Sequence, residues 1–498
     1  MAPERDAERR PLLAADPAVS SQDVHELPPA EAPDARRHSI LYIALVGLLI
    51  NSTIMVTAEF TGAAMNQLVE GAACQKLYPD ITDPYVNPRC KDEEVQAELS
   101  FVVGWDSSIG MLPGLLTAVP YGIFVEKYGP RALLILGFFG GVLNQLVVLG
   151  VCLNPGLFDI RWIWTANLFS FIGGGEVAFE AMRYSIANCI STKSNRATVF
   201  LYLEAMTTLS SVVLGPAVYA SLKRGPVLTE TIGAISIGLA GFISFALPRD
   251  IGMVDSIPAE ESENEERKTN IFLLPFVQIK EIFGIIRDLV RQSKYLGFLL
   301  FSLIFTTVGE LEAQIRKQYA AKRYHWDWST VALVNSTTSI VSIFVMLVAV
   351  PVATRFLMKR NTALGKDIWI ARLGILSLIV GCFGVGAAPT GDLFVLALSL
   401  YRVNICYDPA IMSIIASMAG IDGENEKHSS LVYMCISFMR CVGTVISGPL
   451  LAFCFRIGMR LGNEWLGLPF FMATVLQVCV AVILFTVRDR PKSASVTQ

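Results

Sequence analysis

The sequence predicts an all-α membrane protein with twelve transmembrane helices in two six-helix pseudo-repeats, and three observations lead there. Of 498 residues, 53% are hydrophobic and only 17% charged, where soluble domains carry about a quarter, and the mean hydropathy is +0.52. The charge is gathered into short segments between long apolar stretches, as in a chain whose solvent is lipid. Those stretches fall six and six around a polar middle.

Crossing the hydrocarbon takes about twenty mainly apolar residues. Such runs lie near 40–62, 101–124, 131–153, 161–190, 197–221 and 228–248, and again near 294–315, 329–354, 367–388, 391–418, 429–455 and 464–487. The expected organisation is a tail 1–38, a first bundle 39–248, a linker 249–293, a second bundle 294–488 and a tail 489–498. The first tail is rich in Pro, Ala and charge and has no apolar core, so it reads as disordered rather than as a signal peptide. In the linker, an acidic run from Glu260 to Glu266 precedes Phe276, Ile279, Ile282, Phe283, Ile286, Leu289 and Val290 at helical spacing. That pattern describes an amphipathic helix, either on the membrane surface or against a helix end.

Lys and Arg are about twofold richer in the segments on the N-terminal side of the membrane, which places both termini in the cytosol. The exception is the group Arg316, Lys317, Lys322 and Arg323 after the seventh span. Trp105, Trp164, Trp326 and Trp328 near span ends read as interfacial anchors. Asn51-Ser-Thr and Asn335-Ser-Thr match the glycosylation pattern but fall inside spans.

Composition also excludes function classes. The formal net charge of -3 with no basic cluster gives no footprint for nucleic acid. Ten cysteines without a C-x-x-C and only four histidines give no metal site. No nucleophile–base pair or cofactor loop appears, and the glycine runs lie in spans rather than after strands, so neither an enzyme nor a cofactor is expected. Most cysteines, such as Cys152, Cys189, Cys382 and Cys479, lie in apolar runs. Cys74 and Cys90 share the one long polar loop after the first span and are disulfide candidates if that loop faces outside.

The halves echo each other. Gly215-Pro216 in the fifth span recurs as Gly448-Pro449 in the eleventh, an offset of 449 − 216 = 233, and Pro120 and Pro351 close the second and eighth spans at 351 − 120 = 231. Between the second and third spans the chain reads Gly122-Ile-Phe-Val-Glu126-Lys127-Tyr-Gly129-Pro-Arg131. In that loop of a twelve-span chain the segment resembles the signature of the major facilitator superfamily, with Glu126 in place of Asp and Pro130 in place of a basic residue. Two glycines permit a close turn, and a carboxylate at a helix end can face the positive N-terminus of a neighbouring helix. The resemblance implies a conformational latch made of Gly122, Glu126, Lys127, Gly129 and Arg131. The alternative is a plain cytosolic turn obeying the positive-inside rule.

Gly215-Pro216 resembles the end of a fifth-helix motif of exporters, but Leu209 to Leu214 lacks its glycines. Phe169 stands four residues before Gly173, where such relatives carry arginine. Both departures argue against proton antiport of the ordinary drug-exporter kind. Gly173-Gly-Gly175, Asn195-Arg196-Ala197 and Lys366-Asp367 with Arg372 look like a mainly fungal subgroup similar to metabolite exporters and folate-type carriers, over residues 38 to 490.

Ionisable groups at membrane depth cost roughly 2.5–3.5 kcal/mol each on insertion scales, so they are seldom idle. Glu176, Glu180 and Arg183 share one face of the fourth span, Arg402 lies near the centre of the tenth, and Glu59, Glu310 and Glu312 fall near outer ends, where they can snorkel. The family's cavity is lined by its first, fourth, seventh and tenth helices. The resemblance therefore implies a substrate and proton cavity at Glu176 and Glu180 with Arg402 opposite. Arg183, Glu204, Asp408 and Arg440 are expected as a gate network, and a structural Glu–Arg network is the competing reading.

The expected function is export of a small organic metabolite or toxin by alternating access, with protons as a second partner. The alternatives are proton-coupled import of an organic anion and a receptor or scaffold that kept the fold. A monomer in the plasma membrane is expected, with the vacuolar membrane second. Glu8-Arg-Arg-Pro-Leu12-Leu13 matches an acidic dileucine sorting pattern.

Overall fold

The computed structural model describes residues 33–190, 196–248, 287, 294–310, 312–360, 362–418 and 426–486. The linker helix and the dileucine pattern lie outside them. Over the described residues the chain is almost wholly helical, and the helices fall on the twelve expected segments. Nine are long and apolar enough to cross a membrane: Leu41–Leu77, Glu93–Thr117, Pro130–Leu153, Ala205–Arg224, Pro226–Ser244, Trp328–Met358, Leu364–Ala387, Cys435–Leu461 and Asn463–Thr486. Large apolar side chains such as Phe139, Phe242, Phe356 and Val482 remain exposed along these helices, which suits lipid rather than water.

The other three segments are the fourth, seventh and tenth. The seventh joins an apolar stretch, Tyr295–Gly309, to a polar helix, Glu312–Arg323. The fourth and tenth are interrupted. In the fourth, 3-10 turns over Ile160–Phe171 give way to the α-helix Gly175–Ile190. In the tenth, Gly391–Tyr401 and Tyr407–Met418 flank 3-10 turns at Arg402–Cys406.

The break in the fourth span follows from its residues. Gly173, Gly174 and Gly175 have φ of 92°, 81° and 62°, a left-handed path that residues with a Cβ rarely take. A Cβ on Gly173 would lie 2.2 Å from Cα of Gly137 in the third span. The Tyr121 hydroxyl, from the second span, donates to the Phe171 carbonyl (2.6 Å) and accepts from the Gly173 amide (2.9 Å). Backbone groups freed from the helix are thereby satisfied without water, as burial in a membrane demands. In the tenth span the 3-10 turns precede Asp408-Pro409, and Pro409 has no N–H to continue the ladder. The α-helices that follow the two breaks start 407 − 175 = 232 positions apart, matching the offsets of the sequence repeat, so the breaks occupy equivalent places in the two halves.

The Gly-Pro echoes mark where the halves meet. A Cβ on Gly215 would sit 2.0 Å from Oγ of Ser336 in the eighth span, and one on Gly448 would sit 2.0 Å from the carbonyl oxygen of Gly104 in the second. The partners Gly104 and Ser336 are 336 − 104 = 232 apart. The fifth span thus packs on the eighth as the eleventh packs on the second, a pseudo-twofold arrangement held by close contacts between small residues.

Two expectations change. The first span runs on to Leu77 rather than ending near 62, which puts Glu59 in mid-helix instead of at a snorkelling end. Residues 316–323, read as an outside loop, are helical, with Arg316 and Gln318 buried. In both stretches apolarity falls because the polar side chains face protein rather than lipid. Gly173→Ala is expected to destabilise the protein by about 2 kcal/mol through backbone strain. The melting temperature of the detergent-purified protein should fall clearly, whereas Gly150→Ala, which meets open space, should leave it unchanged.

Candidate functional site

A polar cavity of about 180 Å³ lies between the halves, lined by Glu59 and Gly62 of the first span, Gly215 of the fifth, Lys317 of the seventh, and Trp328 and Asn335 of the eighth, among others. Glu59 accepts the Ser211 hydroxyl. Lys317 Nζ donates to the Gly62 carbonyl at 3.1 Å and lies within electrostatic reach of Glu59, Arg316 and Arg402. From the interrupted tenth span, Arg402 Nη2 donates to Asn335 Oδ1 at 2.5 Å and to the Asn335 carbonyl at 3.3 Å. The break thus carries a guanidinium to the edge of the cavity, where the 3-10 turn fixes it.

A second cluster closes the space toward the end of the bundle that carries Cys74 and Cys90. Glu70, buried in the first helix, accepts Lys91 Nζ (2.7 and 2.9 Å), Trp328 Nε1 (2.6 Å) and the Gln96 amide. The Gln96 carbonyl and side chain accept Gln318 Nε2 at 2.6 and 3.0 Å. Lys322 Nζ donates to the Lys91 carbonyl at 2.8 Å. Cys74 and Cys90 are joined by a disulfide, which holds the loop that presents Lys91. A buried carboxylate survives only when its oxygens are filled by good donors, and here they are filled from both halves. Trp328 is therefore part of a buried cluster, not an interfacial anchor.

Residues 93–448 match the family model described as the Major Facilitator Superfamily. The chain belongs to the major facilitator superfamily. It is 27% identical over 497 residues to "MFS efflux pump atnC" of Emericella nidulans, covering 96% of this chain and 94% of that one. It is 24% identical to "Efflux pump ustT" of Aspergillus flavus, covering 86% and 85%. Among solved structures, the nucleoside transporter NupG superposes with a TM-score of 0.61 at 12% identity, over 88% of this chain and 99% of that one. The D-xylose-proton symporter does so with 0.61 at 10%, over 89% and 98%; both show the fold.

On this major facilitator scaffold the residues singled out from sequence are dispersed. Glu176 stands in the first turn of Gly175–Ile190, and its side chain is exposed. Glu180 pairs with Arg183 at 3.2 Å, and Arg183 lines a largely apolar cavity of about 210 Å³ between the first, third, fourth and fifth spans. Asp408 pairs with Arg440 and ties the tenth span to the eleventh. In the second-to-third loop, Gly129 has φ 78° and both ends the second helix and starts the third. Arg131 sits 5.8 Å over the Phe245 ring, and Gly122 lies in the second helix. The side chains of Glu126, Lys127 and Glu204 lie outside the described residues.

Sequence reasoning missed Glu59, Glu70, Lys317 and Asn335. A usable signal was present, since Glu59, Asn66 and Glu70 recur at helical spacing and draw one polar stripe along the first helix. Glu70→Ala should loosen the closed end by stranding its donors, a loss of about 3 kcal/mol or more for a buried network. In a background lacking the free cysteines but keeping the disulfide, a cysteine at the cavity residue Ala332 should react with an impermeant maleimide at least tenfold faster after Glu70→Ala. An unchanged rate would mean that Glu70 does not hold this end shut.

Proposed function

We propose that the protein is a secondary active exporter of a small organic solute that works by alternating access. The observation that carries this reading is the pairing of a charged cavity between the halves with a sealed end directly beyond it, built from residues of both halves. A carrier needs a site that one end of the bundle covers while the other end exchanges its load. The efflux-pump names of relatives aligned over nearly the whole chain support the outward direction. No catalytic step belongs to this reading.

The sealed end faces outside in this proposal. Disulfides persist in oxidising compartments, and the basic bias of the sequence puts both termini in the cytosol. The two bundles 39–248 and 294–488 rock against each other about the cavity, as a monomer in the plasma membrane or the vacuolar membrane. Glu126 on the cytosolic side acts as the latch of the opposite end state, with Lys127 and Arg131 as its charge partners. Glu176 and Glu180 are the groups available for proton coupling, one at the start of a half-helix and one beside Arg183.

The direction is tested by comparing metabolite profiles of cells with and without the gene, followed by uptake of the retained compound into inside-out vesicles. Glu126→Ala should reduce that uptake at least tenfold at equal membrane abundance. Glu176→Gln or Glu180→Gln should flatten its dependence on pH. Uptake that runs only in right-side-out vesicles would reverse the direction, and an unaffected Glu126→Ala would remove the latch.

A further inference from the structure

We propose that the cavity between the halves binds the charged end groups of an amphoteric solute, one bearing both an ammonium and a carboxylate; the assignment rests on the transport reading above. Glu59 and Lys317 line the same cavity from opposite halves. They lie close enough to feel each other's charge, yet each is tied to a neutral group rather than to the other. Glu59 holds the Ser211 hydroxyl and Lys317 the Gly62 carbonyl.

A structural ion pair would close the space between its partners, because unlike charges away from water gain most at contact. Here the two line a cavity of about 180 Å³ and form no ion pair with each other. An ammonium has three donors and a carboxylate about four acceptor sites, so each group keeps capacity directed at a guest. An ammonium on the solute satisfies Glu59, and a carboxylate satisfies Lys317. Arg402, held by Asn335 at the cavity edge, adds positive potential on the carboxylate side. A neutral solute would take water from both protein charges and give neither an opposite charge at contact, which costs free energy. A solute with one charge would do this to one of them.

The test uses the full-length protein in detergent and four probes that share one side chain: phenylalanine, N-acetylphenylalanine, phenylalaninamide and N-acetylphenylalaninamide. Binding is measured by titration calorimetry. Phenylalanine should bind at least tenfold more tightly than either singly blocked probe, with the doubly blocked probe weakest. Glu59→Gln should abolish the discrimination between free and acetylated amine while keeping that between acid and amide, and Lys317→Gln should do the reverse. Four probes that bind alike to the wild type, or none that binds, would overturn the proposal whatever the variants do. Counterflow in proteoliposomes separates the two readings. Discriminating binding without movement would overturn the transport reading alone, and movement of a retained metabolite with no discrimination among the four probes would overturn this one alone.

Discussion

The closed arrangement depends on one buried carboxylate. Moving Glu70 out of water costs several kcal/mol, and four contacts to Lys91, Gln96 and Trp328 offset that cost. Trp328 belongs to the second half of the chain, while Glu70, Gln96 and Lys91 belong to the first. Separating the halves therefore costs the carboxylate its indole donor and returns it to water. The free energy of this one group is in that way coupled to the position of two bundles. The disulfide contributes by holding the Lys91 loop against the first helix, which lowers the entropy lost when Lys91 docks.

The interrupted spans serve the same geometry from the other direction. A continuous helix hides its backbone polar groups and presents a face fixed by its 3.6-residue period. A break redirects that face. At Gly173–Gly175 the backbone turns through left-handed conformations, with Tyr121 taking the freed carbonyl and amide. At Arg402–Cys406 the tighter 3-10 path aims Arg402 at Asn335. The eighth span opposite carries a π turn at Val345–Ala349, a further local departure near the same contact, and such turns are frequent at functional sites.

Much of this fold was legible in the sequence because lipid imposes a simple rule on length and apolarity. The six-and-six count followed from it, while the pseudo-repeat and the family resemblance came from the Gly-Pro offsets and the Gly122–Arg131 loop. What hydropathy could not read is where spans stop being surrounded by lipid. The first helix continues to Leu77 through Asn66, Gln67 and Glu70, which a hydropathy window counts as a loop signal. Arg316 and Lys317 were assigned to the outside for the same reason. The cavity between the halves is lined by residues other than those singled out in the fourth span. Reasoning from the centre of the fourth span favoured Glu176, whereas the cavity draws on Glu59, in a stretch taken for a helix end. Arg402 was singled out as a charge at membrane depth, but its partner Asn335 carries no charge to draw attention to it.

The two halves repeat in backbone but not in chemistry. Most contacts that seal the disulfide end run one way. Lys317, Gln318, Lys322 and Trp328 of the second half donate to Gly62, Gln96, Lys91 and Glu70 of the first. Ser336 does the same to the Val212 carbonyl, and Lys223 with Asp327 is the counter-example. Donors on one side and acceptors on the other make the interface complementary between unlike halves and unfavourable between like ones. The cavity inherits this polarity, with its carboxylate on the first half and its cations on the second. Phe169 fits the same division. It is apolar in the fourth span, and the positive charge at the cavity comes from the seventh and tenth spans. A duplicated scaffold has in this way become a site with a negative wall and a positive wall, which two identical halves related by a twofold axis could not present.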